Sequence, residues 1–169
     1  MEQTLLKNLE KYIKEHYKPI VEDFESFECV EIKEAKISKR CSISDKFINE
    51  HSLKDIKLDE SFSESLLRII DSKNLKDSDV YKRAHLDRKL FSKIRSNKFY
   101  SPSKQTVIAL CIALELNIPQ TNDLLKKAGF ALSNSNMFDV IVKFFISQKK
   151  YDIYLINEAL LQYDQKTIV

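Results

Sequence analysis

Across 169 residues this chain has a single glycine, Gly129. Sheets, barrels and sandwiches reverse their strands in tight turns that lean on glycine and proline. The prolines here number three, Pro19, Pro102 and Pro119. Helix bundles manage with few residues of either kind, so an all-helical fold is expected before any periodicity is considered. The length suits one domain, or one domain with an appended arm. A chain of roughly 150 residues buries about 70% of its unfolded surface, so a core can form without disulfides or metals.

Hydrophobic residues make up 43% of the chain and charged residues 31%, the balance of an ordinary soluble globular protein. Cys29, Cys41 and Cys111 are an odd set. The first residues, MEQTLLKNLEKY, carry charges every few positions and do not resemble a secretory leader. No apolar run approaches the roughly 18 residues of a membrane span. A reducing, cytoplasmic setting with free thiols and no membrane partner is the expectation.

The net charge of +3 is unevenly placed. Between 76 and 104 there are nine basic residues (Lys76, Lys82, Arg83, Arg88, Lys89, Lys93, Arg95, Lys98, Lys104) against Asp77, Asp79 and Asp87. Concentrated positive charge of this kind is a candidate polyanion footprint, although Lys and Arg also cover ordinary helix surfaces.

Helical periodicity sets the organisation. Leu5, Leu6, Leu9, Tyr12, Ile13 and His16 recur at spacings of three and four, and Pro19 ends that helix. Residues 21–36 fit a strand or a helix, and 37–60 read as connector. From Ser61 the signals sharpen: Ser61 and Glu64 form a capping box, followed by Leu66, Leu67, Ile69 and Ile70. A short helix is expected over 77–84, a tight turn at His85–Leu86, and another helix over 87–96. Pro102 suits the first turn of an apolar, buried helix that carries Cys111, with Asn117 as its left-handed stop. A further helix runs from Pro119 to Lys127 and closes at Gly129. Phe138, Ile141, Val142 and Phe145 form a core stripe, and Asp152 caps a last helix carrying Ile153, Ile156, Ala159, Leu160 and Tyr163. The expected division is 1–59, an amphipathic helix with an acidic connector; 60–131, the central domain; and 132–169, a helical extension packed on it.

The stretch LKDSDVYKRAHLDRKLFSKIRSNKFYSPSKQTVIALCIALEL is similar to phage-repressor-type (Cro-like, lambda-repressor-like) helix-turn-helix domains. Leu75, Val80, Ala84, Leu86, Ile94 and Leu114 stand where that family keeps its core, and Pro102-Ser103 where it has Pro-Ser before the fourth helix. The wider segment also resembles a widespread bacterial domain found behind variable N-terminal regions, sometimes near phage-defence or stress genes. The resemblance implies an all-α bundle of five helices, with two additional C-terminal helices and an N-terminal helical arm. It also implies that helix 87–96 enters the DNA major groove while 77–84 crosses the backbone. Arg88, Lys89 and Lys93 then face base edges, while Ser92, Ser96, Lys98 and Lys104 serve phosphates. Asp87 stands at the helix cap. Four positions depart from the family pattern: Tyr81 replaces a small residue, His85 a glycine, Leu90 a polar reader and Asp77 a glutamine.

Zinc-ligand spacing is missing around Cys29, Cys41 and His51, and no Ser-His-Asp order, HExxH or phosphate-cradling glycine loop occurs. No catalytic residue, metal or cofactor is therefore expected, and the chain is read as a non-enzyme. The expected partners are double-stranded DNA and a second copy of the chain, giving a homodimeric transcriptional repressor. A different class of function is a helical adaptor or inhibitor in phage–host conflict, contacting protein through Leu90, Tyr81 and the N-terminal arm. RNA binding by the same basic face is a third option.

Overall fold

A computed structural model describes residues 3–19 and 60–169. Among these residues every regular element is an α-helix: α1 (Gln3–His16), α2 (Phe62–Ser72), α3 (Asp77–Arg83), α4 (Arg88–Ser96), α5 (Lys104–Ala113), α6 (Ile118–Lys127), α7 (Met137–Ser147) and α8 (Ile153–Gln162). Helices α2 to α6 are the five-helix bundle, α7 and α8 the C-terminal pair, and α1 the N-terminal helix. The expectations for residues 21–59, including Cys29, Cys41 and His51, fall outside the described residues.

Helix starts follow local chemistry closely. Ser61 and Glu64 make the reciprocal capping box at α2, and Asp152 accepts amides of Tyr154 and Leu155 at α8. Two assignments change. Ser103, not Pro102, meets the first turn of α5: its hydroxyl accepts the Thr106 amide, and Pro102 lies buried just before the cap. Asn117 is not the stop of α5. Its side chain accepts the Gln120 amide while Gln120 answers with its own side chain, so Asn117 starts α6.

Helix ends explain how the chain manages with one glycine. Helices α2, α3, α5, α6, α7 and α8 are each followed by a residue at positive φ: Asn74 (51°), His85 (53°), Glu115 (51°), Gly129 (81°), Lys149 (55°) and Asp164 (53°). Each closes a Schellman motif. After α5, for example, the Glu115 amide donates to the Ile112 carbonyl at 2.9 Å and the Leu116 amide to Cys111 at 3.0 Å. Leu75, Leu86, Leu116 and Phe130, next in line, turn back onto the core. Five of these six left-handed positions are filled by residues with a Cβ, against the usual preference for glycine.

Helix α5 is the centre, with every residue from Val107 to Ala113 buried. Against it lie α3 and α6; α2 contacts α4 and α6; α7 contacts α1, α6 and α8. Leu5, Leu9 and Ile13 bury one side of α1, and Tyr12 sets its ring 5.3 Å from Phe144 of α7. Helix α1 thus shares one compact unit with residues 60–169. The apolar tail is also anchored: Ile168 is buried, and its amide donates to Asn157 Oδ1 at 2.8 Å. Burial pushes the Cys111 thiol up to about 12, so at neutral pH it is protonated packing rather than a nucleophile.

Candidate nucleic-acid interface

Helices α3 and α4 are joined by Ala84, His85, Leu86 and Asp87. His85 takes the left-handed conformation, its amide donates to Lys82 at 3.1 Å, and the Leu86 amide donates to Tyr81 at 2.9 Å. The departure from glycine at this turn therefore leaves an ordinary helix-ending geometry intact. The His85 ring meets Tyr154 of α8 edge-on at 4.9 Å. Asp87 then starts α4, its carboxylate accepting the Lys89 amide at 2.6 Å. The carboxylate that looks hostile to DNA is engaged with its own helix.

Helix α4 divides cleanly. Phe91 and Ile94 are buried and Leu90 is half-buried against the core. Arg88, Lys89, Ser92, Lys93 and Ser96, at spacings of one, three and four, form an exposed stripe on the other side. Tyr81 is half-buried, with its ring 5.9 Å from Phe91, so the bulky residue in α3 packs on the base of α4. Leu90 and Tyr81, the candidates for a protein contact, are thus both engaged with the bundle.

Ion pairs sort the surrounding basic residues. Arg95 pairs with Asp77, Arg83 lies 3.9 Å from Glu115, Lys98 is 2.8 Å from Glu64 and Lys104 is 2.7 Å from Asp139. Hydrogen bonds from Lys98 and from the Ser61 backbone and hydroxyl hold the Glu64 carboxyl below the usual carboxylate range. Asp139 is fully buried and also accepts the Ser133 amide at 2.9 Å, which makes Lys104 an internal counter-ion. Arg88, Lys89 and Lys93 have no ion-pair partner among the described residues. The structure therefore brings together five of the seven expected DNA-facing residues, Arg88, Lys89, Ser92, Lys93 and Ser96, on one stripe. Lys98 and Lys104 are instead tied to carboxylates of α2 and α7. The Ser96 hydroxyl sits 3.5 Å from the Lys93 carbonyl, a contact weak enough to yield to a phosphate.

One feature escaped sequence reasoning. Phe99, just past α4, is 82% exposed. Its place between Lys98 and Tyr100 was the available signal, but an aromatic in a loop gives no hint of which way it points.

Two helices joined by a four-residue turn, the second presenting a cationic stripe, define a helix-turn-helix unit of the DNA-binding class. Residues 65–134 match the family model described as Cro/C1-type HTH DNA-binding domain, and the chain carries that domain there. No curated protein and no solved structure matches the chain. Among the described residues no cluster of side chains fit to hold a metal ion occurs, and no helix is long and apolar enough to cross a membrane.

Proposed function

We propose that this protein is a sequence-specific, cytoplasmic transcriptional regulator of repressor type that places α4 in the major groove of duplex DNA and performs no catalysis. The observation that carries this reading is the gathering of three cations without acidic partners among the described residues on one exposed face of α4. Arg83, Arg95, Lys98 and Lys104 have acidic partners, whereas Arg88, Lys89 and Lys93 of one exposed stripe, like Lys76 and Lys82 nearby, have none among the described residues. Cations already matched to carboxylates contribute little to a polyanion footprint, and unmatched ones contribute fully. Arg88 and Lys89 in the first turn of α4 are suited to the paired O6 and N7 acceptors of guanine.

A homodimer completes the proposal, because one short recognition helix makes few base contacts and two half-sites multiply affinity. Support for the dimer comes from α8 and the tail, where Tyr154 (71%), Leu161 (62%) and Val169 (47%) leave apolar surface in water. The same residues also support the second reading, a helical adaptor that grips a protein in phage–host conflict.

The experiment is selection of bound duplexes from a random pool, followed by titration of the winner at several salt concentrations. Enrichment of one motif, lost in Arg88→Ala and Lys93→Ala, is the expected outcome. No enrichment and no duplex retention even at low salt would overturn the regulator and leave the adaptor. Sedimentation of wild type beside a Tyr154→Ser/Leu161→Ser variant tests the dimer.

A further inference from the structure

Phe99 is more exposed than any other large apolar side chain among the described residues, yet its backbone is held. Its amide donates to Asn97 Oδ1 at 3.0 Å, and the Tyr100 amide donates to the Asn97 carbonyl at 3.1 Å. That carbonyl also accepts the Ser63 hydroxyl at 3.2 Å, and the Asn97 amide reaches back to Lys93 at 3.0 Å. On one side Lys98 is fixed by Glu64; on the other Tyr100 packs against the core. The ring is therefore presented to solvent by a braced turn. A braced side chain loses little conformational entropy when something covers it.

The turn follows directly on α4. A nine-residue helix is about 13 Å long, close to the roughly 12 Å width of the major groove. If α4 crosses the groove with its first turn on base edges, its end stands over the strand bordering the groove. That strand alternates anionic phosphates with the uncharged C–H faces of deoxyribose. Lys93, without an ion-pair partner among the described residues, lies one turn before Asn97 and suits a phosphate; Phe99, uncharged and projecting, suits the sugar beside it.

We propose that Phe99 is an apolar anchor that packs on deoxyribose of the strand bordering the groove entered by α4. The inference rests on the duplex-DNA reading above and adds a component of different physical character. A sugar contact displaces no counterions and reads no base, so it strengthens binding equally at all salt concentrations and on all sequences.

The test uses the full chain and a fluorescein-labelled random-sequence DNA duplex, with anisotropy titrations at several salt concentrations. Phe99→Ala is expected to weaken binding by about five- to tenfold, the worth of partly burying one ring, with an unchanged slope of log affinity against log salt. Phe99→Leu keeps most of the affinity. Lys93→Ala, in contrast, flattens the slope by about one. Thermal melting of Phe99→Ala matches wild type, since so exposed a ring packs on little. If wild type binds the duplex and Phe99→Ala binds as well, or its loss comes with a changed slope, the anchor is wrong and the DNA reading stands. If wild type itself ignores the duplex, both fall.

Discussion

Arg95, in the last turn of α4, is ion-paired with Asp77, in the first turn of α3. The pair closes the helix-turn-helix at the end opposite its tight turn. It also neutralises the acidic residue standing where the phage-repressor-type domains it resembles carry glutamine, beside the cationic stripe of α4 proposed to meet DNA. Asp77→Asn removes that carboxylate and releases Arg95. Duplex binding is then expected to tighten several-fold at low salt, with a salt slope steeper by up to about one unit. Stability falls by at most about 1 kcal/mol, as for other partly exposed pairs. An unaltered slope shows that the freed guanidinium does not reach a phosphate.

Lys104 gives the opposite pattern. Its ammonium sits 2.7 Å from the fully buried Asp139, whose other donor among the described residues is the Ser133 backbone amide. Lys104→Met strands a buried charge, a loss of about 3 kcal/mol by analogy with other broken buried pairs. The salt dependence of duplex binding should stay as in wild type. Urea denaturation and anisotropy on the same preparation separate the two effects, and a flattened salt slope with normal stability would return Lys104 to the DNA surface.

The helix ends supply a stability test with a reciprocal control. Gly129 has φ 81° and open space where a Cβ would stand, so Gly129→Ala changes only backbone strain and should destabilise by about 1 kcal/mol. Lys149 occupies the equivalent position after α7 at φ 55°, with no ion-pair partner among the described residues. Lys149→Gly should therefore stabilise, by up to about 1 kcal/mol, at unchanged m-value. A destabilised Lys149→Gly would mean that the unfolded-chain entropy of the new glycine outweighs the relieved strain.

What the sequence revealed and what it hid divide along one physical line. Caps at Ser61, Asp87 and Asp152 were legible because donor and acceptor lie within three residues. Buried stripes such as Phe138, Ile141, Val142 and Phe145 were legible because periodicity reports a face directly. Asn117 fits a stop as well as a start, because asparagine favours both the left-handed conformation and the helix cap, and only Gln120 three residues on distinguishes the two. That α5 stops on Glu115 was invisible, since glutamate has no such preference and the Schellman bonds alone hold it there. For the site, the α4 stripe was implied by the resemblance to phage-repressor-type domains, whereas the fate of Lys104 depended on Asp139, a residue 35 positions away. Pairing across such a separation leaves no mark in local pattern.

Glu60 leads into α2 and couples that junction to pH. Its carboxylate accepts from Arg68 Nε at 3.0 Å and Nη2 at 2.9 Å, and from Lys127 Nζ at 3.1 Å. The Arg68 hydrogen bond, opposed by burial and aided by Lys127, lowers the carboxyl from 4.5 to about 2. A group whose pKa is depressed on folding stabilises the fold above its unfolded value and loses that contribution as pH falls through the folded one. The cluster should thus contribute in full above about pH 5 and fade between there and pH 2. Because the site is half-buried and screened, the contribution is about 1 kcal/mol rather than the full value of the shift. Glu60→Gln cannot titrate in this range. The stability gap between wild type and Glu60→Gln, measured by urea denaturation, should be widest near neutrality and close as the pH approaches 2. A gap that stays constant from neutrality down to that pH would mean that Glu60 contributes through packing and hydrogen-bond geometry, not through its charge.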